Sequence, residues 1–204
     1  MSQLILVLGG ARSGKSSFAE QIVKKLGELD VIYIATAEAK DEEMADRIKQ
    51  HQSSRPEEWT TIEEPQAVSS ALEKIERGAV VLLDCLTVLV SNLLLADEDL
   101  DEDEYEFAAQ QREEEIITEL EKITDQVEDR DLSLVAVSNE VGQGLVPPYQ
   151  AGRVYRDVVG RANQFLADRA DEVYITYAGL PVEIKELAQE TRAQFETAGG
   201  KTDD

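Results

Sequence analysis

Gly9-Gly10-Ala11-Arg12-Ser13-Gly14-Lys15-Ser16 fits the pattern G-x-x-x-x-G-K-[ST]. An apolar run, Leu4 to Leu8, precedes the octet; it is too short for a helix and is ended by Gly9-Gly10. After the octet, Ser16 to Leu26 sets Phe18, Ala19, Ile22, Val23 and Leu26 on one helical face. Strand, glycine-rich turn and helix, in that order, let backbone N–H groups wrap a phosphate while the helix start adds a favourable dipole. Lys15 would reach the terminal phosphates, and the Ser16 hydroxyl would ligate Mg²⁺. A tight strand-to-helix turn could match by accident, but with both flanking elements present the pattern points to a nucleoside triphosphate.

The rest of the chain alternates in the same way. Val31 to Ala35 predicts a buried strand, and Asp41 to His51 a helix stopped by Ser53-Ser54-Arg55-Pro56. Trp59 to Ile62 predicts a short strand, Gln66 to Arg77 a helix, and Val80 to Leu83 a strongly apolar strand ending in Asp84. A long helix over Glu104 to Glu128 precedes a strand over Leu132 to Val137, which leads into Ser138-Asn139-Glu140. Beyond the Gly142 to Pro148 loop come a helix from about Gly152 to Arg169, a strand over Val173 to Tyr177, a short edge strand over Pro181 to Ile184 and a helix over Leu187 to Phe195. Residues from about 197 to 204 read as a frayed tail.

Strands buried on both faces and alternating with helices specify an α/β fold, a mostly parallel sheet with helices on both faces. At 204 residues the expectation is a single phosphate-loop domain. Ligands of such sheets gather beyond the carboxyl ends of the strands, where Gly9, Ala35, Asp84 and Asn139 fall. Asp84 at such an end would hold Mg²⁺ through water, although a strand-ending Asp also caps helices, here one from Leu86 onward. Asp30 and Asp171 precede strands and lie at the wrong end for a metal.

Charge and composition exclude several classes. Forty-three acids against twenty bases give a formal charge of −23, which disfavours nucleic acid and anionic membrane as partners. Eight of the acids crowd into the ten positions from Asp97 to Glu106, the pattern of a solvated loop or helix start. The lone Cys85 excludes an intramolecular disulfide or Cys-cluster zinc site, and the lone His51 excludes multi-histidine metal sites. No run approaches the roughly 18 apolar residues of a membrane span. The start lacks a basic region leading into a signal-peptide core, so a cytoplasmic location is expected.

Taken alone, a histidine at a polar helix end reads as a surface residue. In a triphosphate-binding chain it gains a second reading, because a neutral imidazole attacks phosphorus and can carry the transferred group as a phosphoramidate. Arg55 supplies charge for phosphate oxygens, and Arg47 lies one helical turn before His51.

Several motifs then occur together. They are GGARSGKS, the strand end Tyr33-Ile34-Ala35-Thr36, and DEEMADRIKQHQSSRPEEWTTIE from Asp41 to Glu63. Further on come Leu83-Asp84-Cys85-Leu86-Thr87 with Asn92-Leu93-Leu94, Ser138 to Gly142 with Gly144 to Pro147, and Arg156-Asp157 to Asn163-Gln164. Residues 4 to about 185 thereby resemble the bifunctional adenosylcobinamide kinase/adenosylcobinamide-phosphate guanylyltransferases of cobalamin biosynthesis. The R-I-x-x-H-x-x-x-R-P-x-x-W string is the specific signal.

The resemblance implies a RecA-like phosphate-loop fold and a homotrimer with active sites near subunit boundaries. It also implies two steps. Adenosylcobinamide is phosphorylated with ATP or GTP; GTP then gives GMP to a histidine, and GMP passes on to give adenosylcobinamide-GDP. The guanylylated histidine falls on His51. Gly9 to Ser16 hold the triphosphate; Ile34, Ala35, Thr36, Gln52, Ser53, Ser54, Arg55, Glu63 and Asp84 complete the nucleotide site, with Mg²⁺ at Ser16 and Asp84. Glu140, Asp157 and Glu63 are candidates for the base of the kinase step, although the first two could instead hold the Gly142 to Pro148 loop. Two other readings follow from the same residues: a guanylyltransferase without the kinase step, and a RecA-like nucleotide-binding regulator with no small-molecule acceptor.

Overall fold

A computed structural model describes residues 2–27, 30–38, 55–95, 102–189 and 191. The helix expected from Asp41 through His51, together with Gln52, Ser53 and Ser54, lies outside the described residues, as do most of the expected last helix and the tail.

Seven strands form one sheet: β1 (Gln3–Gly9), β2 (Val31–Ala35), β3 (Thr60–Glu63), β4 (Val80–Asp84), β5 (Ser133–Asn139), β6 (Glu172–Tyr177) and β7 (Leu180–Glu183). Their order is β3-β2-β4-β5-β1-β6-β7, parallel throughout except for the β6–β7 hairpin. β5 therefore separates the phosphate-loop strand from the Asp84 strand, as in a RecA-like phosphate-loop sheet. The helices are α1 (Lys15–Gly27), α2 (Val68–Leu72), α3 (Leu86–Leu94), α4 (Glu102–Asp129) and α5 (Gln150–Arg169). The expected edge strand is present as β7, and residues 185–189 are helical, two residues earlier than the sequence pattern suggested.

Side chains alternate across each strand, so the central strands supply two cores. Leu4, Leu6, Val81, Leu83, Leu134 and Ala136 face one side, under Leu86 and Leu89 of α3, Ile116, Leu120 and Ile123 of α4 and Val158, Val159 and Ala162 of α5. Ile5, Val7, Val31, Tyr33, Val80, Leu82, Val135 and Val137 face the other, where α1 contributes Ala19 and Val23 and the segment before β3 contributes Trp59. α1 lies over β1, β5 and β4.

One expected helix is much shorter than its pattern. Over Gln66 to Arg77 the structure keeps only α2, after Glu64 Oε1 has taken the N–H groups of Gln66 and Ala67 at 3.1 and 2.8 Å. Lys74 and Ile75 donate to Ala71 and Leu72, bonds of the tighter i to i+3 kind that close a helix. Arg130 Nε holds the Ile75 carbonyl at 3.0 Å, which fixes the end. The short strand before it also moves by one residue, to Thr60–Glu63, because Trp59 turns into the α1-side core.

Candidate active site

The phosphate loop leaves the end of β1 between two strand ends, with Gly9 level with Asn139 on β5 and Thr176 on β6. A Cβ at Gly9 would stand 2.4 Å from Ser13 Oγ and 2.8 Å from the Thr176 carbonyl oxygen, so the turn admits no side chain there. Gly14 has φ +95°, and a Cβ on it would come within 3.1 Å of Gly179 Cα. The β6–β7 turn buttresses the loop directly, as Gly179 N–H donates to the Ser13 carbonyl at 2.8 Å. α1 begins at Lys15, and its ammonium donates to the Gly10 carbonyl at 3.3 Å. First-turn N–H groups of a helix have no partner within it, and this one opens where the loop turns back.

Asp84 ends β4 level with Val137, two residues short of the Gly9–Asn139 level. Its position continues the alternation of Val80 and Leu82, which places it on the α1 face with Lys15 and Ser16. Tyr33 projects from β2 on that same face and its hydroxyl donates to Asp84 Oδ2 at 2.7 Å. Burial pushes the Tyr33 phenol well above its ordinary range, and the Asp84 charge and hydrogen bond push the same way. The Arg55 guanidinium lies over the Tyr33 ring, its carbon 3.4 Å from the ring centroid. Arg55 Nη1 is buried without a hydrogen-bond partner among the described residues.

Below this group the strand ends are tied together. Thr36 Oγ1 accepts from Cys85 N–H and donates to the Cys85 carbonyl, both at 2.9 Å. Asn92 Nδ2 donates to the Thr36 carbonyl at 2.8 Å. Asn139 Nδ2 donates to Thr87 Oγ1 at 2.8 Å, and the Tyr155 hydroxyl donates to the Thr87 carbonyl at 3.2 Å. Burial pushes Tyr155 up to about 12. The Cys85 thiol is also pushed up, first by burial and then by the Asp84 charge, with a weak opposing pull from Lys15.

The expected site residues thus divide. Gly9 to Ser16, Ala35, Thr36, Arg55, Glu63 and Asp84 meet along the carboxyl edge of the sheet, with Ala35 level with both Glu63 and Asp84. Ile34 is different: its side chain is fully buried in the core away from α1, so only its backbone is offered to the edge. His51, Gln52, Ser53 and Ser54 lie outside the described residues. Among the base candidates, Glu140 accepts the Gly142 N–H at 2.6 Å and so holds the start of the following loop, while its own N–H donates to the Gly9 carbonyl at 3.1 Å. Glu63 ends the edge strand β3, and Asp157 is exposed beside Arg156.

Sequence reasoning passed over three groups. Tyr33 was legible as a phenol on the face of β2 that Val31 shares, but its place beside Asp84 comes from the β2–β4 pairing. The β6–β7 turn carries the punctuation Ala178-Gly179, but its contact with Ser13 is a tertiary fact. Thr176 is buried beside the loop, and a cavity of about 400 Å³ opens between it, Arg12, Glu140, Gln143 and Tyr177.

The donors at this edge suit Mg²⁺. Ser16 and Asp84 offer hard oxygens, and among the described residues no group of three or more His, Cys, Asp or Glu side chains could cage a metal by itself. A cation held by one hydroxyl, one carboxylate through water and the nucleotide's own phosphates is the usual arrangement for Mg²⁺.

The chain is similar in sequence to known proteins. The chain is 42% identical over 184 residues to the bifunctional adenosylcobalamin biosynthesis protein CobU of Escherichia coli K12, covering 89% of this chain and 99% of that protein. It is 41% identical over 181 residues to the corresponding CobP of Pseudomonas aeruginosa, covering 88% and 96%, and 39% identical over 184 residues to CobU of Salmonella typhimurium LT2, covering 89% and 99%. Among solved structures, an ATPase domain aligns at TM-score 0.47 and 16% identity, covering 86% of this chain and 69% of that one. A KaiC-like protein of Pyrococcus horikoshii OT3 aligns at TM-score 0.42 and 11% identity, covering 85% and 70%. At such scores neither adds to what the strand order and phosphate loop establish. The family model for cobinamide kinase / cobinamide phosphate guanyltransferase matches residues 5–184, and the chain belongs to that family.

Proposed function

We propose that this chain phosphorylates adenosylcobinamide and then guanylylates the product through His51, yielding adenosylcobinamide-GDP. The observation that carries the reading is the family match across residues 5–184, on a chain whose phosphate loop is built at the end of a parallel strand. In the kinase step the aminopropanol hydroxyl oxygen bonds to the γ-phosphorus of ATP or GTP. The bond to the departing nucleoside diphosphate breaks, and the hydroxyl proton passes to a base. In the second step a neutral His51 nitrogen bonds to the α-phosphorus of GTP and pyrophosphate leaves. A phosphate oxygen of adenosylcobinamide phosphate then bonds to that phosphorus and frees the histidine.

In this reading Gly9 to Ser16 cradle the phosphates, and Lys15 meets charge that develops on them during either transfer. Arg55, four residues after His51 in the sequence, has a guanidinium nitrogen without a hydrogen-bond partner among the described residues, which it could offer to a phosphate oxygen. Ser16 directly and Asp84 through water would hold Mg²⁺, which when bound lends positive charge to the phosphates. Ala35, Thr36, Gln52, Ser53, Ser54 and Glu63, with the Ile34 backbone, would complete the nucleotide's surroundings.

The working form in this proposal is a cytoplasmic homotrimer. No described helix is long and apolar enough to cross a membrane, and Leu145, Val146 and Tyr149, in the loop that follows Glu140 in the sequence, expose apolar surface. Light scattering of the purified protein at three times the monomer mass is the expected result for the assembly.

The deciding experiment is mass spectrometry after incubation with GTP and Mg²⁺. The protein should gain one GMP, acid-labile and mapping to the peptide that holds His51. Supplied with unphosphorylated adenosylcobinamide, it should form first the monophosphate and then the GDP conjugate. A protein that gains no GMP refutes the histidine route. One that loads GMP but forms no monophosphate is a guanylyltransferase alone.

A further inference from the structure

Asp84 and Arg55 were both expected at the nucleotide site, and one side chain joins them. Tyr33 is 3% exposed and belongs to the α1-side core with Val31, Leu82 and Trp59, where a phenylalanine would fill the same space. Its hydroxyl is not needed for that packing. It points to the tip of the β4 carboxylate and donates to Oδ2 at 2.7 Å. The ring is itself held from its other side, since the Arg55 guanidinium lies 3.4 Å above the centroid. A carboxylate at a strand end can rotate and present either oxygen. With Oδ2 engaged by the phenol, Oδ1 is the oxygen left to accept from water on a metal ion.

We propose that Tyr33 is a positioning residue: it fixes the Asp84 carboxylate so that Oδ1 faces the hydration shell of the nucleotide-bound Mg²⁺, and its ring seats Arg55 beside that shell. The assignment rests on the reading of Gly9 to Ser16 and Asp84 as a Mg²⁺–nucleotide site. It predicts a particular separation. Loss of the hydroxyl weakens what Mg²⁺ adds to nucleotide binding, while binding without metal, which depends on the loop and on the ring under Arg55, is untouched.

The test measures the affinity of a fluorescent, non-hydrolysable GTP analogue in Mg²⁺ and in EDTA for wild type, Tyr33→Phe, Asp84→Asn and the double variant. Wild type should bind more tightly in Mg²⁺. In Tyr33→Phe that gain should shrink about tenfold, the scale of one hydrogen bond to a charged group, with the EDTA affinity within about twofold of wild type. Asp84→Asn should lose the gain, and adding Tyr33→Phe to it should cost nothing more, because both act through one carboxylate. An unchanged gain in Tyr33→Phe, additive losses in the double variant, or an equal fall in EDTA each overturns the positioning role. If Asp84→Asn keeps the gain, the metal reading of Asp84 fails instead. A second measurement stands even where Tyr33→Phe does not fold. With 3-fluorotyrosine at position 33, the fluorine resonance of the analogue complex should shift when Mg²⁺ is added in the Asp84 protein and not in Asp84→Asn. No shift in the Asp84 protein overturns the proposal.

Discussion

The two faces of the sheet are covered differently. Under α2 to α5, four helices bury aliphatic side chains almost without interruption, from Leu6 and Leu134 to Ile116, Leu120 and Ile123. On the other face, among the described residues, a single helix, α1, supplies Ala19 and Val23, and the core there includes Tyr33 and Trp59. Polar groups follow at its border: Asp84 on Tyr33, Arg55 on the same ring and the Lys24 ammonium 5.5 Å from the Trp59 ring centroid. A face closed by four helices has no room for a charged ligand beside its strands. On the other face α1 starts at the phosphate loop and lies over β1, β5 and β4, with Asp84 and Tyr33 at its edge. In the proposed site the charged groups gather on the α1 side, whereas the larger aliphatic core lies on the other, so substitutions on the two sides should act on different quantities.

The largest effect is expected at His51. His51→Ala should abolish GMP loading and product formation while cobinamide phosphorylation and melting temperature largely survive, as judged by mass spectrometry and calorimetry. Full labelling of that variant would remove His51 from the mechanism. Since attack requires a neutral imidazole, loading by wild type should fall as the solution is made acid enough to protonate the histidine. A rate that stays flat on such acidification would contradict the role.

Lys15→Ala comes next and tests whether one phosphate loop serves both reactions. Losing a charge that meets developing phosphate charge costs roughly 3 kcal/mol or more, about a hundredfold in rate, and both activities should show it. If one activity keeps its wild-type rate, a second nucleotide site exists. On the opposite face, Ile123→Val in the α4 core should lower unfolding free energy by about 1 kcal/mol and leave turnover per folded molecule unchanged. Lost turnover at unchanged stability would break the division between faces.

The parts of this arrangement that were legible in the sequence are those set by local pattern. The phosphate loop, the strand ending at Asp84, the β5 run with Asn139 at its end and the α5 amphipathic stretch are each specified by residues next to one another. The α2 boundary was not, because its end depends on Arg130 reaching the Ile75 carbonyl from 55 residues away. The Ile34 side chain could not be assigned a face without the register, which places Ile34 against Leu83 on the four-helix side. The Tyr33–Asp84 bond is likewise a consequence of β2 pairing with β4, since 51 residues separate the two in the chain. Spacing can mark candidates on one strand, but only pairing brings them together.

The smallest effect is expected from the acidic segment, Asp97 to Glu106. Its second half opens α4, where acidic side chains suit the positive end of the helix dipole. α4 runs back towards the start of β5, so its first turn lies at the same end of the sheet as the phosphate loop, on the four-helix side. Asp97 to Asp101 lie outside the described residues, and the Debye length of about 8 Å at physiological salt screens their repulsion of a bound nucleotide. Replacing Asp97, Glu98, Asp99 and Asp101 by Asn or Gln should leave the apparent affinity for GTP nearly unchanged at that salt. Solubility should fall as the formal charge drops from −23, a change read by precipitation against salt concentration. If the quadruple variant instead loses Mg²⁺-dependent turnover, these carboxylates contact the metal or the acceptor. The segregation of charge onto the α1 face would then fail at this edge, with Asp84 no longer the principal metal acid.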